Sequence, residues 1–319
     1  MLIVAGLVAL MVGAEVVVRS SSRVARRLGV SPMIIGLTIV SVMTSVPELA
    51  VGIDAALVGA GDISVANIAG TNVVNLMLIL GLSALLRPLP LRSQTLHVDL
   101  PMMAFAAVAL LIMALDGAVS RLDGALLLGI AAGYTAVVLR VSRRERAAVR
   151  REYEEESDAT PRRRTARLLT YELSALLAGI VVVVLGADWL VEGAVDFARR
   201  FGVSDALIGL TIVAVGTSAP ELATTLVATI RDRRDVAIGN LIGSSVYNIA
   251  FILGLMAVVV PDGLHVAAQV VQIDLPVMTA VVLACVPVFL RDRRLSRLNG
   301  GLFVLTYLGY LGYLVVARV

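Results

Sequence analysis

Ten apolar runs, each long enough to cross a lipid bilayer, narrow the possible folds of this chain more than any other feature. A crossing needs about 20 apolar residues, and an α-helix satisfies its own backbone hydrogen bonds inside the bilayer. With 59% hydrophobic residues and a mean hydropathy of +0.93, the chain is predicted to be an all-α polytopic membrane protein. We number the runs as spans 1 to 10; they lie near residues 2–18, 30–56, 64–86, 97–115, 123–140, 168–193, 205–230, 236–260, 269–290 and 298–317.

An internal duplication divides these spans into two sets of five. Residues 36–50 read GLTIVSVMTSVPELA and residues 209–223 read GLTIVAVGTSAPELA, and 25 aligned positions are identical between 29–81 and 202–254. Because five spans is an odd number, the second set must cross the membrane in the opposite direction to the first. The sequence therefore predicts two inverted-topology repeats, at 1–141 and 168–319, joined by a charged cytoplasmic linker at 142–167.

The distribution of arginine predicts how the chain is oriented. All 27 basic residues are arginine, and 23 of them fall in one alternating set of connecting segments. The positive-inside rule makes that set cytoplasmic, so both termini are predicted to lie outside a cell inner (plasma) membrane. The linker, with its mixed charge runs, is expected to be a solvated loop or a short helix.

Each repeat places a proline and a glutamate inside an apolar run. Pro47 and Pro220 have no backbone N–H and are expected to break their helices, while Glu48 and Glu221 lie near the middle of the membrane. A carboxylate at that depth costs roughly 2.5–3.5 kcal/mol on insertion scales and is by default a functional-site hypothesis. We expect helices 2, 3, 7 and 8 to be broken at an ion site.

Oxygen-bearing side chains accompany both glutamates. Span 2 supplies Thr44 and Ser45, and span 7 supplies Thr217 and Ser218. The partner spans supply Asn67, Thr71, Asn72 and Asn75, and Asn240, Ser244, Ser245 and Asn248. No histidine joins this set and the one cysteine, Cys285, lies elsewhere, so hard cations such as Ca²⁺ and Na⁺ are favoured over Zn²⁺ or Cu. Two carboxylates neutralise one divalent ion, two monovalent ions or two protons, as an exchanger requires.

The paired motifs resemble those of the sodium/calcium exchanger branch of the cation/calcium antiporter superfamily. They are TSVPE with NIAGTNVVN in the first half, and GTSAPE with GNLIGSSVYN in the second. The resemblance implies an antiporter in which Glu48 and Glu221 bind Ca²⁺ and Na⁺, with Asn75 and Asn248 beside them. It also implies that flanking Na⁺ sites are lined by Thr44, Ser45, Thr71, Thr217, Ser218 and Ser244, helped by the carbonyls of Ser41 and Ala214.

One position departs from the family pattern, and others differ between the two repeats. Asn248 stands where many members carry an aspartate, which counts against a potassium-dependent subtype. Met43 replaces the glycine that Gly216 retains, and Ala66 replaces the glycine found at Gly239. From these differences we expect the first repeat to bend differently from the second.

Residues at the ends of spans are expected to have structural roles. The histidines His97 and His265 are predicted to be solvated at the interface. The acidic residues that match between the repeats are expected to cap helices or form interfacial pairs; they are Glu15, Asp99, Asp188 and Asp274.

Sodium-coupled calcium antiport is thus the predicted function, with Ca²⁺ and Na⁺ as transported ions and no cofactor. The alternatives are a proton-coupled cation antiporter and a cation channel built on the same acidic centre. An enzyme is disfavoured because no nucleophile–base motif occurs. The expected surroundings are the lipid bilayer, with no nucleic acid and no obligatory protein partner.

Overall fold

The computed structural model describes residues 1–57, 59–153, 162–201 and 214–318. These residues form a nearly all-helical membrane protein, as predicted. The helices are α1 Leu2–Leu28, α2 Pro32–Leu57, α3 Gly61–Leu86, α4 Thr95–Asp116, α5 Arg121–Tyr153, α6 Arg162–Arg200, α7 (described as Ala214–Thr217 and Ala219–Ile230), α8 Arg234–Val259, α9 Val270–Asp292 and α10 Arg297–Arg318. Of these, all but α7 are long and apolar enough to span a bilayer, and the part of predicted span 7 before residue 214 lies outside the described residues.

Two helices extend well beyond their apolar runs. The predicted end of span 1 near residue 18 is wrong, because α1 continues to Leu28 and ends where Gly29 adopts a left-handed conformation (φ 65°). Within this extension Arg19 pairs with Glu15 one turn earlier, which helps a polar segment to stay helical. Likewise α6 runs to Arg200, past the predicted boundary at 193.

The linker between the repeats is more helical than predicted. Helix α5 continues to Tyr153 and α6 begins at Arg162, so helix replaces most of the expected loop or short helix. Residues 154–161 of the linker lie outside the described residues. A helix with charges of alternating sign can be surrounded by solvent, just as a loop can. Composition alone therefore does not distinguish a helical linker from a loop.

The contact between α1 and α6 has the symmetry of an inverted repeat. A Cβ atom added to Gly6 would lie 2.7 Å from the carbonyl oxygen of Gly186, and one added to Gly13 would lie 2.9 Å from that of Gly179. Gly6 corresponds to Gly179 in the duplication, and Gly13 to Gly186. Small residues let membrane helices approach closely, and here each of the two glycines in one repeat meets the counterpart of the other glycine, as a two-fold axis between the repeats requires.

The same symmetry relates two further helix pairs. Between α3 and α10, a Cβ on Gly300 would lie 2.6 Å from the carbonyl oxygen of Gly81. Between α5 and α8, a Cβ on Gly124 would lie 2.8 Å from that of Gly254. Since Gly81 and Gly254 are equivalent positions, the α3–α10 and α8–α5 contacts are equivalent too.

Two short antiparallel strand pairs join connections at the ends of the helices. Strand β1 (Leu89–Pro90) pairs with β4 (Arg294–Leu295), and β2 (Ala118–Val119) pairs with β3 (Leu264–His265). Each pair joins two connections that the alternation of spans assigns to the same side of the membrane. Which side is cytoplasmic stays a prediction from the arginine distribution.

The acidic residues at span ends do not share one role. Glu15 forms the interfacial pairs expected of it, with Arg19 and Arg231. Asp99 neither caps a helix nor pairs at an interface, because it is fully buried and accepts a hydrogen bond of 3.1 Å from the Tyr134 hydroxyl. A helix packed alongside, which the sequence does not show, supplies this partner.

The second repeat has an equivalent hydrogen bond, which the Tyr310 hydroxyl donates to the Asp274 carboxylate at 3.4 Å. Both histidines are exposed, as predicted.

Tyr134→Phe is expected to lower the free energy of unfolding by about 1–3 kcal/mol, the cost of leaving a buried polar group without its partner. Tyr310→Phe removes the longer, less buried equivalent bond and should cost less. Thermal unfolding of both variants in detergent measures the difference. If the two variants are equally stable, the Tyr134–Asp99 bond contributes nothing specific.

Candidate functional site

Helices α2 and α7 break at equivalent serines. Ser45 has φ −88° and ψ 7°, and Ser218 has φ −86° and ψ 7°. Each stands two residues before the proline that lacks a backbone donor, Pro47 or Pro220. The expectation that the first repeat bends differently from the second is therefore wrong at the break. The prolines set the geometry of the break, and the difference between Met43 and Gly216 does not alter it.

The prediction that α3 and α8 are also broken needs correction. Each continues through the site as a helix with one π-helical stretch, Val74–Ile79 in α3 and Asn248–Ile252 in α8. Neither stretch contains a proline, so the helix widens by one residue instead of separating. Stretches of this kind are frequent at functional sites, and here they carry Asn75 and Asn248.

The two glutamates are brought together in the protein interior. Glu48 and Glu221 are fully buried and close enough for their charges to interact. Among the residues that the structure describes, neither oxygen of Glu48 has a hydrogen-bond partner. Oε1 of Glu221 accepts a bond of 3.4 Å from the Ser45 hydroxyl, whereas Oε2 has no partner in the same set of residues. Buried carboxylates are costly unless they are paired or bind a cation, so this geometry calls for a counter-charge.

Neutral groups around the glutamates also lack partners. Both polar atoms of the Asn75 amide and both of Asn248 are buried and form no hydrogen bond within the described part of the chain, and the same holds for the hydroxyls of Thr71 and Ser218. Buried polar groups in proteins are otherwise paired almost without exception. These four side chains are among the ligands predicted from the sequence.

Other predicted ligands form contacts between the repeats. The carbonyl of Ser41 accepts from the Ser45 N–H at 3.2 Å and from the Thr44 hydroxyl at 3.3 Å. The Ser244 hydroxyl of α8 donates to the same carbonyl at 3.5 Å. The break therefore does not leave this carbonyl without hydrogen bonds. Segment Ala214–Thr217 packs against α3, which carries Thr71; the side chain of Ala214 lies outside the described residues.

A buried hydrogen-bond network beside the site was missed in the sequence. The Asn240 amide nitrogen donates to the hydroxyls of Thr224 at 3.0 Å and Thr225 at 3.3 Å, and the Thr44 hydroxyl donates to its oxygen at 3.5 Å. Two adjacent threonines one turn after Glu221 were the available signal. Because its amide is satisfied by protein, Asn240 acts as a support for the site.

Helices α2 and α8 approach closely because two positions on α8 are glycine. A Cβ on Gly239 would lie 2.5 Å from the carbonyl oxygen of Met33, and one on Gly243 would lie 2.7 Å from that of Leu37. Any larger residue at these two positions would push the helices apart. At Gly70, the counterpart of Gly243, no atom of the described residues lies within 4 Å.

The donor set is one of hard oxygens. Among the residues that the structure describes, no three His, Cys, Asp or Glu side chains cluster to hold a metal ion. Two carboxylates with amide and hydroxyl oxygens are suited to Ca²⁺ or Na⁺, which accept neutral oxygen ligands.

Comparison with known proteins agrees with this chemistry. The sequence profile of the family described as "Sodium/calcium exchanger protein" matches residues 1–140 and 171–316. The chain belongs to the sodium/calcium exchanger family. It is accordingly a multi-pass membrane cation/calcium antiporter.

Similar proteins align with nearly the whole length of this exchanger. CaxA of Alkalimonas amylolytica is 36% identical over 97% of this chain and 96% of its own length. The sodium/calcium exchanger MaX1 of Methanosarcina acetivorans is 30% identical, over 98% and 97%. A solved structure of the sodium-calcium exchanger NCX_Mj superposes with a TM-score of 0.84 at 26% identity, covering 98% of this chain and 97% of that one.

Proposed function

We propose that this exchanger moves Ca²⁺ in one direction and Na⁺ in the other by alternating access. The observation that carries the proposal is the pair of buried carboxylates, Glu48 and Glu221, three of whose four oxygens have no hydrogen-bond partner among the residues that the structure describes. One Ca²⁺ balances both charges, and so do two Na⁺ ions. The names of the similar exchangers, which specify sodium and calcium, support the same pair of ions.

The proposed Ca²⁺ ligands are the two carboxylates with Asn75 and Asn248. The oxygens proposed to line flanking Na⁺ sites come from Thr44, Ser45, Thr71, Thr217, Ser218 and Ser244, with the carbonyls of Ser41 and Ala214. Ca²⁺ takes about 6–8 oxygens, a number that two converging repeats can supply. Support comes from the unpaired atoms of Asn75, Asn248, Thr71 and Ser218.

Charge balance explains why such a centre exchanges ions and does not leak them. Empty and doubly ionised, it would place two repelling charges in a low-dielectric interior. Movement between the two open states is therefore favoured only with cations bound. The long helices α1 and α6, which pack against each other and against the core, are the elements proposed to move.

A flux assay with separate gradients tests the coupling. Proteoliposomes are loaded with Na⁺, with K⁺ or with acid, and Ca²⁺ uptake is measured after dilution into neutral Na⁺-free medium. We expect rapid uptake only with Na⁺ inside. Uptake driven by the pH gradient and indifferent to Na⁺ would establish the proton-coupled alternative. Large currents that need no counter-ion would establish a channel.

Asn248→Asp is expected to alter ion preference and pH dependence more than stability. The added carboxylate needs a further cation or a proton, so Ca²⁺ uptake should fall more steeply as the pH is lowered than it does in the unmodified protein. Uptake from pH 6 to 9 measures this, with thermal unfolding alongside. Asn248→Ala, which removes the amide without adding charge, is the control. An unchanged pH profile in Asn248→Asp contradicts the assignment.

A further inference from the structure

A basic cavity lies between α1 and α6, away from the glutamate pair. It has a volume of about 480 Å³ and is lined by Arg23, Arg26, Arg27 and Glu172. We call these four residues the arginine pocket. Three guanidinium groups and one carboxylate leave it with a net charge of +2. The exchange mechanism proposed above uses none of these residues.

The one carboxylate in the pocket does not satisfy its arginines. Glu172 is only 4% exposed, and its oxygens lie 3.6 Å from Arg23 Nη1 and 3.8 Å from Arg27 Nη2. Both separations exceed those of hydrogen bonds. Nε of Arg27 is buried and has no acceptor among the side chains that the structure describes. Arg26 is exposed, and no side chain in the described part of the chain pairs with it. The pocket thus presents unused N–H donors to an anion.

We propose that the arginine pocket binds the phosphate group of an anionic membrane lipid. Planar guanidinium groups match phosphate oxygens in both charge and geometry. Basic pockets between helices, at the cytoplasmic side of a membrane, are suited to lipid head groups, and the arginine distribution assigns these residues to that side.

The surface beside the pocket favours a lipid over a free phosphate ion. Tyr171 and Leu168, on the same helix as Glu172, are 66% and 39% exposed. Tyrosine concentrates at the membrane interface, and an exposed leucine one turn away offers an apolar contact for an acyl chain. A free phosphate ion would make no use of either side chain.

Native mass spectrometry of the purified full-length exchanger tests this site. The probes are phosphatidylglycerol and, for comparison, zwitterionic phosphatidylcholine. We expect the unmodified protein to retain one phosphatidylglycerol more tightly than any phosphatidylcholine, and Arg27→Gln to weaken that binding about tenfold. Arg291→Gln is the matched control, since Arg291 is exposed at the end of α9 and distant from the pocket; it should bind as the unmodified protein does.

Glu172→Gln gives a result in the opposite direction. It removes the carboxylate that competes with the lipid phosphate, so we expect phosphatidylglycerol to bind several-fold more tightly. A gain of affinity cannot arise from misfolding. Equal retention by Arg27→Gln and Arg291→Gln, or weaker binding by a folded Glu172→Gln, would overturn the proposal.

Titration with inorganic phosphate separates the two sources of the anion. We expect millimolar phosphate to leave the retained lipid in place and to give no thermal stabilisation that Arg27→Gln removes. If inorganic phosphate stabilises the unmodified protein, displaces the lipid and loses both effects in Arg27→Gln, the pocket binds free phosphate and the lipid assignment is wrong.

Discussion

Glu48→Gln is expected to reduce Na⁺-driven Ca²⁺ uptake about a hundredfold or more. The substitution keeps the shape of the side chain and removes one of the two charges that balance Ca²⁺ in a buried site. Removing one member of a buried charge pair costs about 3–5 kcal/mol, and each 1.4 kcal/mol is a factor of ten in affinity. Glu221→Gln should have a comparable effect, because it removes the equivalent charge from the other repeat.

Asp54→Asn is the matched control, an exposed acidic residue on the same helix. It should leave uptake unchanged. No described residue donates a hydrogen bond to either Glu48 oxygen, so Glu48→Gln should also remain folded and unfold at a temperature no lower than the unmodified protein. Normal uptake by a folded Glu48→Gln would refute the assignment of the site, whatever ion drives transport.

Gly239→Ala is expected to lower Ca²⁺ uptake about tenfold or more by moving α2 away from α8. The added methyl group would lie 2.5 Å from the carbonyl oxygen of Met33. A backbone atom cannot rotate aside, so one helix must shift. Overpacking of this kind costs about 1–3 kcal/mol, and a displacement near 1 Å is enough to disturb an aligned site by about a hundredfold in rate. Thermal unfolding and uptake are measured together.

Gly129→Ala controls for the change of residue type. Gly129 lies on an exposed part of α5, where no described atom comes within 4 Å of an added Cβ, and alanine favours helix over glycine by about 1 kcal/mol. We expect this variant to be as active as the unmodified protein and at least as stable. Full activity in Gly239→Ala would show that the close approach of α2 and α8 is not needed for transport.

Much of the candidate site could be predicted because its residues occur at equivalent positions in both repeats of the sequence. Duplicated prolines and glutamates in apolar runs indicated the breaks and the buried charges, and the structure has both breaks at equivalent serines. The amides of Asn75 and Asn248 followed from the same alignment. Residue type, depth in the membrane and repetition were sufficient for these features.

Features that depend on neighbouring helices were not predictable in the same way. The partner of Asp99 is Tyr134, 35 positions away on another helix, and no periodicity links them. The arginine pocket exists only because α1 and α6 meet in a particular register. In each case packing, which local sequence does not encode, decides the outcome.

The strand pairs have a consequence for how this protein is made. β1 and β2 come from the first repeat, whereas their partners β4 and β3 come from the second. The glycine contacts of α1 with α6, α3 with α10 and α5 with α8 likewise join opposite repeats. The first half, as it leaves the ribosome, therefore has unpaired strands and open glycine grooves that only the second half can fill. Each repeat thus depends on the other to cover these strands and glycine surfaces, so we expect neither repeat to fold stably when it is made alone.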